Sequence, residues 1–400
     1  MAGEDQAVTN FREYLRIKTV QPNPDYDGAL AFLTKMAEEL DLSYQIIQLS
    51  TGRRVFVLSW PGKCPSLPSV LLNSHTDVVP VFMEHWKVDP FSADKMDNGD
   101  IYARGSQDMK CVGIQYIEAI RRLKNSGKRL LRTIHLSFVP DEEIGGHTGM
   151  AVFVKDERFK QLNVGFVLDE GLANPTDSYT VFYGERSAWW LRVKCPGKPG
   201  HGSRFIQDTA AEKVHKVMTR LLELRAKEEK KFMDCDSCLK LGDVTTVNLT
   251  KLEGGVQVNV VPNEFVAYFD IRLNPREDLV AFEEQLKSWF AEAGKDVTYE
   301  FLQKGNCHQL TSTDKSDPWW NAFSSTLENM NQAYETEIFP AGTDSRFLRE
   351  IGLPAIGFSP MNNTPILLHD HNEFLNEKVF LKGIKVYEQL ITSLGNVPKF

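Results

Sequence analysis

The chain has no long hydrophobic run, and its apolar stretches near Val70 and Val139 break after a few residues at Asn, Pro or an acid. A membrane-crossing helix needs about 18 to 20 apolar residues in succession, so no membrane association is expected. Basic charge is also short: 46 Lys and Arg against 54 Asp and Glu leave a net charge of −8. Without a basic field to collect phosphates, nucleic acid is not expected as a partner. Cysteine is sparse, the six (Cys64, Cys111, Cys195, Cys235, Cys238, Cys307) being scattered without framework spacing. That usage fits a reducing compartment, and Met1 to Val20 lacks the apolar core of a signal peptide, so a cytoplasmic location is expected. Only Cys235 and Cys238 stand close. With no second CxxC or HxxxH to complete a zinc site, the pair reads as a polar loop after a helix rather than a half site or redox pair.

What is present is ordinary for a globular protein, with 42% hydrophobic and 25% charged residues, which argues against disorder. At 400 residues the chain is too long for one ordinary core, and length alone suggests two domains or three. Helical spacing at Ala29, Phe32, Leu33, Met36 and Leu40 precedes strand-like Tyr44–Leu49, Val55–Trp60 and Val70–Leu72. Helical spacing over 109–125 stops at Gly127, before strand 133–139; a helix over 148–162 and a strand over 164–168 follow. Such alternation predicts an α/β fold, a mainly parallel sheet flanked by helices. From about Glu185 the texture changes to strand, long helix, two strands and helix, which could fold as an inserted two-layer α+β domain. The expected division is a catalytic domain over 1–186, the insert over 187–303, and the rest of the catalytic domain over 304–400.

Acids and histidines gather just past the carboxyl ends of the expected strands. His75 and Asp77 follow 70–72, Asp108 follows 101–103, Glu142 and Glu143 follow 133–139, and Glu170 follows 164–168. In a parallel sheet those ends share one edge, where ligands bind. His369, after apolar 366–368, can add a second imidazole. Three carboxylates and two imidazoles in one crevice are unfavourable without a cation, and oxygen and nitrogen ligands without thiolate suit Zn²⁺, with Co²⁺ or Mn²⁺ as substitutes. Two divalent ions held by three carboxylates leave one positive charge, which a bridging hydroxide neutralises, and that hydroxide is a nucleophile at neutral pH. In an extended segment Glu142 and Glu143 point opposite ways, so one can bind metal while the other meets water. The i, i+2 spacing of His75 and Asp77 lets Asp77 accept the imidazole's other N–H. Taken alone, a carboxylate after a strand is more often a helix N-cap or a solvated loop residue; the weight lies in their coincidence.

The runs NSHTDVVP (73–80), IYARGSQDMK (101–110), VPDEEIGG (139–146), LDEG (168–171), GHGS (200–203), GTDSR (342–346) and LLHDHNE (367–373) resemble the M20 family of co-catalytic zinc amidohydrolases. The resemblance spans nearly the whole chain, with the motifs in order. It implies two zinc ions per subunit: His75 and Glu170 on one, Glu143 and His369 on the other, Asp108 bridging. It implies Glu142 as general base and Asp77 as the acid behind His75. The insert would be both lid and dimer interface, with His201 reaching the neighbouring subunit's site in a homodimer to stabilise the oxyanion. Arg346 and Asn259, and more weakly Arg272, would hold a substrate carboxylate. The implied activity is hydrolysis of the acyl amide of N-acyl-L-amino acids; a dipeptidase or exopeptidase of the same family, or a non-catalytic scaffold, is the alternative. Spacing cannot choose between His369 and His371, and only the family pattern of His followed by Glu four residues later selects His369. The plainer reading of the glycine-flanked His201, set against the resemblance, is a residue of a tight turn. The pairs Trp189–Trp190 and Trp319–Trp320 read as core or interface packing.

Overall fold

Every residue of strand Ser69–His75 is buried, as a strand covered on both faces must be. Its own side chains divide between two cores: Val70 and Leu72 join one apolar cluster, Leu71 the other. This strand lies inside an eight-stranded sheet ordered Ser43–Gln48, Arg54–Trp60, Ile134–Val139, Ser69–His75, Val164–Asp169, Ala355–Phe358, Tyr179–Glu185, Tyr334–Phe339. The four central strands run parallel. Antiparallel strands join them on both sides. Residues 49–53 are too short a link for a crossover, so the strands they join must form a hairpin. The computed structural model describes residues 3–235, 238–306 and 308–400; Cys307 lies outside them, as do Met1, Ala2, Asp236 and Ser237.

Two compact units form. One comprises Met1–Tyr183, Thr311–Glu337 and Thr343–Phe400; the other comprises Gly184–Leu310 and Ile338–Gly342. The second unit is wider than the expected 187–303 and takes in a short return over 338–342. That return is anchored within the unit, where Arg186 N–H donates to the Phe339 carbonyl at 3.0 Å.

In the first unit, helices Gln6–Arg16, Tyr26–Glu39, Lys110–Asn125, Pro318–Asn329 and Glu377–Leu394 contribute to the larger core. Short helices Met150–Phe153, Glu157–Gln161 and Ser345–Glu350 supply the smaller one. The single helix expected over 148–162 is two, because Asp156 caps a new start by accepting the Arg158 N–H. Trp319 and Trp320 are buried in the larger core. The strand expected over 101–103 is Asp100–Tyr102, and it does not belong to the main sheet. It pairs antiparallel with Asp94–Lys95 and Phe374–Asn376 in a sheet of three.

The second unit is a four-stranded antiparallel sheet ordered Thr246–Gly254, Glu264–Leu273, Ser187–Pro196, Thr298–Lys304. Alternation decides its faces: Trp189, Leu191 and Val193 are buried against apolar residues of helices Ala210–Met233 and Leu279–Ala293, whereas Trp190 is 43% exposed. Burying Trp189 is worth about 3 kcal/mol. A Thr209–Glu212 capping box starts the long helix. After that helix Cys235 and Cys238 lie close together, their Cα atoms 5.5 Å apart. Among the described residues no helix is long and apolar enough to cross a membrane.

Candidate metal centre

His75 is the last residue of its strand, and its ring is held from behind. Nδ1 lies 2.9 Å from the backbone carbonyl of Asp77, while the Asp77 carboxylate stands 3.9 Å away. The partner expected at Asp77 is therefore its main chain, because the residue turns out of the strand there. A neutral ring donating from Nδ1 presents the Nε2 lone pair to the crevice.

Nε2 of His75 lies 2.9 Å from Asp108 Oδ1 and 3.4 Å from Glu170 Oε2. The other oxygen of Asp108 lies 3.3 Å from His369 Nε2, which is 2.9 Å from Glu143 Oε2. Two imidazoles, each with its own glutamate, thus share one aspartate. The ligand atoms of His75, Asp108 and Glu143 lie within 4.8 Å of one another, as do those of His75, Glu142 and Glu170. The second grouping brings Glu142 beside the first subsite.

The donors fit a pair of divalent cations. Glu143 Oε1 is buried without a hydrogen-bond partner, the condition of an oxygen whose partner is an ion. Protonation carries the same message. Burial, with Asp108 adjacent, pushes Glu143 up to about 7. Burial raises Glu142 and Glu170 well above the carboxylate range, Asp108 adding to it at Glu170. His369, bonded to Asp108 and Glu143, is pushed up to about 10. Burial opposes charge on His75, yet Glu170 and Asp108 raise it well above the usual histidine value. Such a site takes up protons to balance its crowded acids, and cations can do the same.

Each ligand is aimed by groups behind it. Asp77 Oδ1 accepts the Glu142 N–H at 3.1 Å and Oδ2 accepts the Glu143 N–H at 3.2 Å. The two glutamates lie in a 3-10 turn, Glu142–Ile144, rather than in an extended segment, and Asp141 enters it at φ 64°. Their side chains diverge because that turn rotates them about the helix axis. Asp108 comes from a loop before helix Lys110–Asn125, not from the main sheet. Glu373 shapes that loop, accepting from the Arg104 guanidinium at 2.7 Å and from the N–H groups of Gly105, Gln107 and Asp108. His369 lies in a turn at φ 61°, so the strand parity considered for 369 and 371 does not apply. The His371 ring instead lies 4.8 Å from that of His85.

Arg346 donates to the carbonyls of Thr343 at 2.8 Å and Gly145 at 2.7 Å, which ties its loop to the turn after Glu143. His201, Asn259 and Arg272 belong to the second unit. His201 pairs with Val260 in a two-residue ladder, its Nδ1 2.8 Å from Ser203 Oγ. The Asn259 carbonyl accepts from Gly202 N–H at 2.8 Å, and Arg272 is held bidentately by Asp270. Two acids escaped the sequence reading as single residues. Asp141 was passed over beside the more legible Glu142–Glu143 pair. Asp344, 1% exposed with neither oxygen hydrogen-bonded, is pushed up to about 8 by burial, with Asp169 adding to it.

Residues 71–393 match Peptidase family M20/M25/M40. The chain belongs to that family. It is 60% identical over 395 residues to mouse Aminoacylase-1, spanning 99% of this chain and 97% of that protein. Aminoacylase-1 of Dictyostelium discoideum is 47% identical over 407 residues, spanning 98% of both chains. A solved M20 family metallo-carboxypeptidase from Sulfolobus solfataricus superposes with a TM-score of 0.75 at 18% identity, covering 98% of this chain and all of that one, which speaks for the M20 fold alone.

Proposed function

We propose that the chain is a cytoplasmic, homodimeric two-zinc hydrolase that cleaves the acyl amide of N-acyl-L-amino acids to a carboxylate and a free L-amino acid. The observation that carries the reading is Asp108, one carboxylate serving two imidazoles, in a chain so like Aminoacylase-1. His75 and Glu170 would hold one ion and Glu143 and His369 the other, with Asp108 shared by the two sets of ligands. Zinc, when bound, supplies a Lewis acid and acidifies water.

Glu142 takes the proton of the attacking water and hands it to the leaving nitrogen. Its carboxyl is buried and its pKa raised by that burial, which suits a base that must also act as an acid. Asp77 fixes the backbone from which Glu142 reaches. Arg346 receives the substrate carboxylate on its planar fork, and Asn259 is a second group for that end. Arg272 is the weaker choice, since Asp270 already occupies its guanidinium. His201, acting from the neighbouring subunit, donates to the oxyanion.

The test is an assay of N-acetyl-L-methionine beside a neutral dipeptide, before and after exhaustive chelation. The account expects the acyl amino acid to be the better substrate, with activity lost on chelation and restored by Zn²⁺ or Co²⁺. Preference for the dipeptide would make the enzyme a peptidase, and full activity in metal-free protein would remove the metal centre from the mechanism.

A further inference from the structure

Gln21 lies outside every motif above and is 5% exposed. Its segment is fixed alongside the one that follows His75. Val20 bridges Val78, the Gln21 N–H donates to the Val78 carbonyl at 3.0 Å, and Thr19 Oγ1 donates to the Thr76 carbonyl at 2.7 Å. The carboxamide then reaches between two aspartates that are both fully buried, Asp77 and Asp141. Nε2 donates to Asp77 Oδ2 at 2.8 Å and to Asp141 Oδ1 at 3.1 Å. Facing two carboxylates, only the nitrogen end of the amide can point inward, and its two hydrogens serve the two aspartates, with Tyr26 Oη a longer contact at 3.4 Å.

The two aspartates bracket the base. Asp77 holds the backbone N–H groups of Glu142 and Glu143, and Asp141 immediately precedes them. Asp141 has its own anchors: Tyr26 Oη donates to it at 2.7 Å, Arg53 Nε at 2.7 Å and Thr148 Oγ1 at 2.6 Å. Tyr26 Oη also accepts the Asp141 N–H at 2.9 Å, at a residue held in the left-handed region. Asp77 has no such outer ring; besides the two turn N–H groups, the side-chain donor bonded to its carboxylate among the described residues is Gln21. The amide therefore cross-links the segment after His75 to the turn that carries Glu142.

We propose that Gln21 is a positioning residue for catalysis: its amide cross-links Asp77 and Asp141 and thereby sets the Glu142 turn against the His75 end of the site. This rests on Glu142 being the base. Misplacing a reacting group by about 1 Å costs on the order of 10²-fold in rate. Arg346 is bonded to the Gly145 carbonyl, which closes the same turn, and to the Thr343 carbonyl outside it, so a small change in KM accompanies the loss of kcat.

The experiment uses the metal-loaded full chain with Gln21→Met, a neutral side chain of similar length without donors, and Gln21→Glu, which turns both donors into acceptors. Both are expected to lower kcat by about 30-fold to 100-fold, with KM within about threefold, metal content unchanged and Tm close to the parent. A kcat within about threefold of the parent in folded, metal-loaded Gln21→Met overturns the proposal. So does a loss of kcat that tracks a loss of metal or a matching rise in KM, and so does failure of both variants to fold, since each makes the residue merely structural. Glu142→Gln, run alongside, separates the two ideas. If it stays active, the base assignment falls; if it is inactive while the Gln21 variants are not, only this inference falls.

Discussion

Asp77 accepts the backbone N–H of Glu142 at 3.1 Å and, through its other oxygen, that of Glu143 at 3.2 Å. One buried carboxylate thus sets the origin of both Glu142, the proposed base, and Glu143, the proposed metal ligand, while its own backbone carbonyl lies against the His75 ring. Burial raises the Asp77 carboxyl above its ordinary value, against the opposing influence of His75, and the N–H groups that surround it suit the ionised form.

Arg346→Ala is expected to raise KM for N-acetyl-L-methionine through loss of a charge-assisted partner, about 2 to 4 kcal/mol. Because the guanidinium also holds the Thr343 and Gly145 carbonyls, some loss of kcat should accompany it. Arg346→Lys should rescue only partly, since an ammonium lacks the fork. An unchanged KM in steady-state assays would transfer carboxylate recognition elsewhere.

His135 offers a pH test apart from the chemistry. Buried beside Ser59, its imidazole is pushed down to about 4 by burial, against an ordinary 6.5. The unfolded chain therefore takes up this proton first, and stability falls as pH drops from about 6.5 to about 4, by about 3 kcal/mol at most. Above pH 6.5 the group contributes no slope. Urea unfolding of the parent beside His135→Asn should show the two curves diverging only below that pH. Parallel curves would mean that the ring is not held neutral.

The central strands were legible because β-branched and leucine-rich runs between turn residues announce buried parallel strands, as at Val70–Leu72. Thr298–Lys304 was missed although TYEFLQK alternates, and burial there alternates too. A short half-buried edge strand carries little apolar signal against the strong helix before it. Asp108 was legible as a site residue but not in its route, since a three-residue strand does not declare which sheet it joins. His369 could not be told from His371 by spacing, because both lie in turns whose left-handed residues no periodicity reports. Gln21 was illegible for another reason: its partner Asp141 lies 120 residues away, and a lone glutamine before a proline gives no local sign of such a contact.

The proposed action of His201 across a dimer can be tested by complementation. His201→Ala and Glu142→Ala should each be nearly inactive, one lacking the oxyanion donor and the other the base. In a mixed dimer the His201→Ala chain keeps Glu142 and borrows His201, so one site is complete. Random pairing makes about half the dimers mixed, and activity should recover to about a quarter of the parent if the sites act independently. No recovery in co-purified, metal-loaded mixed dimers would confine His201 to its own subunit or remove it from the mechanism.

The central claim is that adjacent glutamates divide the work, Glu142 moving the proton and Glu143 holding metal. The direct measurement is bound metal and turnover of N-acetyl-L-methionine in Glu142→Ala and Glu143→Ala, each purified from zinc-replete cells. Glu142→Ala should keep the parent's metal content and lose several powers of ten in kcat, whereas Glu143→Ala should lose bound metal along with activity. Metal loss in Glu142→Ala with full retention in Glu143→Ala would contradict the assignment and exchange the two roles.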